Sequence, residues 1–297
     1  MSADGCPAPP LMRRLSTSSA GTLRTAAAAC SSRGSMKFVE LVRTTVEGPV
    51  TVVELARPET GNALAAAVVE ELTRALAQVR VSSRRAVILT GAGKHFCTGA
   101  DLTELGALAE APAAERVADA SQLGALYASV LRLPQLTIAA VRGAAYGGGA
   151  GLAGACDVVI AAPGASFQFS ELRLGFVPAL ISVFLPRRLP VATLFQLFAD
   201  PRPVSAEEAH ALGLVDEVAE DPLARGHEVA AAVAGKTSPA ALAATKELLL
   251  GLTFPHLDQQ FAHAAQVNAA QRVHPECRSG VAHFLANRRF PDWLENG

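Results

Sequence analysis

The residues with the clearest chemical potential lie in one glycine-rich stretch. Gly147, Gly148 and Gly149 stand in a row and Gly151 follows one residue on, so four of five consecutive positions lack a side chain. Glycine is costly inside regular structure, and such a density needs a reason. Residues 138–141 before it form an apolar run suited to a buried strand, and Leu152, Ala153, Ala155 and Cys156 after it suit a buried helix. A tight strand-to-helix turn whose N–H groups meet an anion or a developing oxyanion fits this pattern. A close-packed turn with no ligand fits it as well. The stretch lacks the Gly-Lys-Ser/Thr of a phosphate loop.

A second small-residue loop, TGAGKHFCTGADL at 90–102, follows the apolar run Ala86-Val87-Ile88-Leu89. One loop offers the N–H near Ala100 and the other the N–H near Gly148. Two converging backbone donors are what an enolate or tetrahedral oxyanion needs. A proton carrier is available in Glu171, which follows the alternating Phe167-Gln168-Phe169-Ser170 and precedes the apolar Leu172, Leu174 and Phe176. Desolvation there raises a carboxyl pKa toward neutrality; a solvated surface acid is the other reading. Cys97 is a nucleophile candidate, with His95 two residues away on the same face of a strand end.

The elements that must position these groups begin at Lys37. Residues 39–46 and 50–55 read as strands around a Glu47-Gly48 turn. A helix is expected from Gly61 to about Val81, with Asn62 able to cap it. Further helices are expected at 113–131, from the glycine turn to Cys156, and after the Ser205–Glu208 capping box. Strands are expected at 135–141, 158–162, around Phe167–Phe169, and just after Gly213. This alternation predicts a mainly parallel sheet with helices on its faces. Residues 222–234, 238–250, 257–272 and 276–286 all read as helix.

Half of the 297 residues are hydrophobic, 18% are charged, and the formal net charge is −1. A chain of this length can build one large core with a helical appendage. The near-neutral charge gives no electrostatic case for nucleic acid or a membrane surface. No apolar run reaches the ~18 residues of a membrane span. Five cysteines without a C-x-x-C point to a reducing compartment rather than a disulfide framework. Residues 1–35 carry Arg13, Arg14, Arg24 and Arg33 against Asp4 alone. They read as a disordered extension, a start placed ahead of Met36, or a transit peptide. The location follows: cytoplasmic, or mitochondrial if the segment is a transit peptide.

HFCTGADL, AAVRGAAYGGGAGLAGACD and FQFSELRLGFVP together resemble the enoyl-CoA hydratase/isomerase (crotonase) superfamily, over about residues 37–293. The resemblance implies an α/β fold, a crotonase-like spiral of ββα units at 36–220 with a C-terminal helical region at 221–297. It implies an acyl thioester substrate, on coenzyme A or an acyl carrier protein, with no other cofactor and no metal. It implies an oxyanion hole at Ala100 and Gly148 and an acid–base Glu171. Asp101 and Leu102 would lie along the substrate. RPETGNAL resembles a family segment near the adenine end of coenzyme A, which brings in Asn62 and Ala63. Cys97 falls where the family has small packing residues. The helical tail would pack across subunits of a homotrimer or a hexamer.

The chain also departs from simple hydratases. These carry a first glutamate in G-G-G-x-E, and Gly151 stands there instead; PALISVFLPRRL replaces a glycine-rich P-G-x-G-G-T-Q segment. The pattern is more similar to methylglutaconyl-type hydratases and hydroxymethylglutaryl-thioester dehydratases. A single acid suits dehydration or double-bond migration better than holding a water from two sides. The expected reaction is therefore hydratase/dehydratase chemistry on a branched or 3-substituted acyl thioester. An isomerase and a silent acyl-CoA binder are the alternatives. The missing side chain is also expected to free volume beside the reacting carbon.

Overall fold

The computed structural model describes residues 40–294, so the segment 1–35 lies outside the described residues. Strands β1 (Val42–Glu47) and β2 (Val50–Leu55) form an antiparallel hairpin. Then come α1 (Ala66–Arg80), β3 (Ala86–Gly91), α2 (Leu102–Leu108), α3 (Ala113–Leu131), β4 (Leu136–Val141), β5 (Ala144–Tyr146), α4 (Gly148–Ala155) and β6 (Val158–Ala161). The chain continues through β7 (Ser166–Gln168), α5 (Ala179–Ser182), α6 (Val191–Ala199), β8 (Val204–Ser205), α7 (Ala206–Leu212) and β9 (Glu217–Val218). Four helices end it: α8 (Pro222–Lys236), α9 (Pro239–Thr253), α10 (Leu257–Gln271) and α11 (Pro275–Asn287).

The main sheet has the order β1-β2-β3-β4-β6-β9 and is parallel from β2 onward. Its central strands read as continuous apolar runs because both faces are covered. Alternate residues point to opposite faces. Ile88, Ile138, Ala140 and Ile160 meet Ala230 of α8 on one face. Val87, Leu89, Ala139, Val141 and Val159 face the larger core that holds α1, α3 and α4. The expected division at 220/221 carries no packing boundary, since α8 covers the sheet and residues 40 onward form one compact unit.

A smaller sheet, β5-β7-β8, pairs β5 parallel with β7. The sequence reading merged β5 into the glycine turn. Its register, Tyr146 opposite Gln168, sets the ends of the two strands side by side. The glycine turn and Glu171 leave from those ends. The first helix starts at Ala66, not Gly61, because Pro58–Thr60 forms a 3-10 turn and Gly61 and Asn62 take left-handed backbone.

Candidate active site

Three backbone segments converge at carboxyl ends of strands, where open α/β sheets place their ligand sites. The loop after β3 runs against the turn after β5: Cys97 N donates to Ala144 O and Tyr146 N to Cys97 O. Gly99 has φ +93, and a side-chain carbon on it would stand 2.8 Å from Tyr146 O and 3.4 Å from Gly148 N. A carbon on Gly149 would lie 2.1 Å from Cys97 O. The glycines are thus required by direct backbone packing of α4 on the 97–99 segment. A carbon on Gly148 would sit 3.9 Å from Ala100 N. Neither the Ala100 nor the Gly148 N–H donates to any acceptor among the described residues, so two neighbouring backbone donors are left for a ligand.

Helix α4 is held at both ends. Tyr127, fully buried on α3, donates its hydroxyl to Gly148 O at 3.0 Å. Burial, with the Cys97 and Glu171 charges, keeps that phenol well above its usual pKa and therefore neutral. At the other end Arg187 donates to Ala155 O and Cys156 O, and Arg188 to Cys156 O and Asp157 O. Cations at carbonyl ends favour the helix dipole. They come from the LPRRL part of the stretch that departs from simple hydratases.

Glu171 opens a 3-10 turn, Glu171–Leu174, just past β7. Gly147 N donates to Gln168 O at 2.7 Å, which joins this segment to the glycine turn. A carbon on Gly147 would stand 3.2 Å from Glu171 Oε1. The residue is half-buried, but its Oε2 is wholly buried and has no hydrogen-bond partner. Loss of water pushes this carboxyl up to about 7. Such a group exchanges a proton near neutrality.

The turn is braced from the end of the chain. A carbon on Gly280 would lie 2.5 Å from Leu174 O, and one on Gly175 would lie 2.7 Å from the Glu276 carbonyl carbon. Helix α11 and the turn therefore touch backbone to backbone. Gln271 Nε2 donates to Gly175 O, the Arg173 guanidinium lies 3.8 Å from the Phe290 ring centre, and Trp293 Nε1 donates to Arg173 O.

The other residues singled out in the sequence take these places. Asp101 caps α2, accepting from Thr103 N and Glu104 N, and Leu102 packs toward the apolar cluster under α11. Asn62 is not a helix cap. Its Oδ1 accepts from Arg57 N and its Nδ2 donates to Ala92 O and His95 O, so it ties the two loops together. Neither amide hydrogen is left for a ligand; the backbone of Asn62 and the buried Ala63 remains nearby. Burial pushes the Cys97 thiol up to about 12, which leaves it unreactive.

Gly151 does not free the volume expected of it. A carbon there would fall 2.3 Å from Ile181 Cγ2 and 3.6 Å from the Tyr127 hydroxyl. Ile181, on α5 and buried, fills that space. Sequence reading missed Tyr127 and the role of Ile181. A signal for the latter was present, since both departures from the simple hydratase pattern were visible without their contact.

Two cavities among the described residues bear on the site. The larger, about 470 Å³, is lined by residues such as Arg80, Arg132, Lys246, Phe254 and His256 and contains neither Ala100 nor Glu171. The smaller, about 30 Å³, touches Ala100 itself. Of the donor pair and the acid, only Ala100 lines it.

A core of parallel strands, a backbone-donor pair and an adjacent buried acid define this as a crotonase-fold protein. The model of the enoyl-CoA hydratase/isomerase family matches residues 45–296. A Rhodobacter capsulatus protein named "Probable enoyl-CoA hydratase" is 37% identical, covering 83% of this chain and 95% of its own. The "Bacillaene synthase dehydratase PksH" of Bacillus subtilis is 28% identical over 85% of this chain and 96% of its own. The crystal structure of an enoyl-CoA hydratase from Bacillus halodurans superposes with TM-score 0.77 at 28% identity, covering 82% of this chain and 99% of that one. The chain belongs to the enoyl-CoA hydratase/isomerase family.

Proposed function

We propose that this protein is a hydratase/dehydratase-type lyase for a branched or 3-substituted acyl thioester, on coenzyme A or an acyl carrier protein. The thioester carbonyl oxygen would accept from the Ala100 and Gly148 N–H groups, which stabilise the enolate. Glu171 would carry the proton at the α-carbon. Asp101 and Leu102 line the acyl side in this reading, and the backbone at Asn62 and Ala63 meets the carrier. The observation that carries the reading is the bare, buried Glu171 Oε2, with its carboxyl pushed up to about 7, beside the turn that holds the free Gly148 N–H. The resemblance to a relative named a dehydratase supports the direction.

One observation favours a second reading, a double-bond isomerase. The place of the absent carboxylate is taken by the apolar Ile181, which offers nothing to a water. Isomerisation needs one proton carrier and no water. The experiment offers 3-methyl-2-enoyl, 3-hydroxy-3-methyl and 3-enoyl thioesters and follows product mass. Gain or loss of water supports the lyase, an unchanged mass with a moved double bond supports the isomerase, and full turnover by Glu171→Gln removes both.

We also propose assembly as a homotrimer or hexamer, with the exposed Leu248, Leu249 and Leu252 of α9 covered by a second copy. Light scattering that returned the mass of a single chain would refute this.

A further inference from the structure

The cavity beside Ala100 has a mixed lining. Leu64, Ala100, Leu105 and Leu123 share it with Arg272 and with the carboxylates of Asp101, Glu104 and Asp119. Arg272 follows α10 and is only 4% exposed. Its Nη2 meets Asp119 Oδ2 at 2.7 Å and its Nε donates to Asn268 Oδ1 at 3.0 Å. Its Nη1 is wholly buried with no partner. A buried guanidinium nitrogen without an acceptor is costly and calls for an occupant. At ~10–15 Å³ for a water, the space holds one or two waters or one polar end group.

We propose that Arg272 is a specificity residue, and that its Nη1 binds a hydrogen-bond-accepting oxygen at the far end of a short acyl chain. This rests on the acyl thioester reading above and narrows its substrate class. The cavity adjoins the residue assigned to the thioester oxygen and has both the leucines and Arg272 in its lining, so an acyl chain entering past Ala100 comes among them. Asp119 already balances the Arg272 charge. A neutral carbonyl or hydroxyl oxygen then gains a hydrogen bond without burying a new charge, whereas a carboxylate adds an uncompensated one.

The test uses three saturated coenzyme A thioesters, freshly prepared and without a double bond or 3-hydroxyl to turn over, with end groups of similar size: 4-oxopentanoyl, succinyl and 4-methylpentanoyl. Acetyl-CoA is the control. Dissociation constants are measured by calorimetry on the wild type, Arg272→Lys, and Arg272→Met/Asp119→Leu, which removes both charges together. The expected result is at least ~10-fold tighter binding of the 4-oxopentanoyl than of the 4-methylpentanoyl thioester. That ratio should shrink in Arg272→Lys and vanish in the double variant. Tighter binding of succinyl than of 4-oxopentanoyl would keep the oxygen site and assign it to a carboxylate. Equal binding of all three by the wild type would overturn the proposal and leave Nη1 to an internal water. A preference retained in the double variant would overturn it too. The ratio is read within each protein, and the wild-type comparison stands even if a variant fails to fold. If acetyl-CoA also fails to bind, the thioester reading falls and this inference with it; if acetyl-CoA binds and the ratio is flat, only this inference falls.

Discussion

Gly151 and Ile181 are two halves of one contact: a carbon on the first would overlap the Cγ2 of the second at 2.3 Å. The absent glutamate and the absent glycine-rich segment are therefore one change. Gly151→Glu alone should overpack a filled site and bury a charge, costing on the order of 1–3 kcal/mol or more. Gly151→Glu with Ile181→Gly should recover much of that loss and raise kcat/KM for crotonyl-CoA relative to a 3-methyl thioester. Thermal melts and the two-substrate ratio check this. A single variant as stable as wild type would contradict the contact.

Glu171→Gln should lower turnover by at least ~10²-fold, the low end for a positioned acid–base group, with thioester binding nearly kept. The pH profile separates the directions. Abstraction of the α-proton needs the carboxylate, so dehydration or isomerisation should rise with pH through about 7. Hydration delivers that proton and needs the acid, so its limb should fall over the same range. A profile flat from pH 5 to 9 would remove Glu171 from the chemistry.

The same residue should cost stability. Its folded pKa is raised from 4.5 to about 7, so the folded state holds the proton more tightly than the unfolded chain. That contribution is whole below about 4.5 and lost as pH climbs through about 7. Above pH 7 the ionised, unpartnered carboxylate opposes folding by on the order of 3 kcal/mol. Glu171→Gln should therefore melt higher than wild type at pH 8 and alike at pH 4. Identical melting at both values would show that the carboxyl is solvated.

Gly280→Ala tests the brace behind the catalytic turn. Its new methyl would press on Leu174 O at 2.5 Å, while Gly235→Ala in α8 meets nothing within 4 Å. The first should destabilise by ~1–3 kcal/mol and lower kcat at least ~10-fold with KM within ~3-fold, since misplacement penalises the reacting geometry more than binding. The second should be neutral or slightly stabilising. Equal kinetics in the two variants would show that α11 does not position Glu171.

Local physics made part of the site legible. Four glycines in five positions announced a close backbone approach, and apolar runs announced strands covered on both faces. Glu171 stood out because apolar neighbours follow it. Long-range contacts were silent. Asn62 read as a cap because its true partners, Ala92 O and His95 O, lie in another loop. Arg272 resembles any arginine on a helix until Asp119 and a cavity are seen beside it. Helix α8 has helical periodicity in sequence, but its buried face belongs to a sheet formed earlier in the chain, which no local pattern announces.

The clasp between α11 and the Glu171 turn also has a meaning in time. Domains form from the N-terminus forward as a chain is synthesised. The three strands that deliver the donor pair and the acid, β3, β5 and β7, all come before residue 170, so the outline of the site exists early. The backbone that Gly175 and Leu174 rest on is made last, at Glu276 and Gly280. Until then the turn lacks one wall. With Glu171 as the proposed proton carrier, synthesis of α11 would then be the step that fixes its turn in place, and a nascent chain without that helix would be assembled but unarmed.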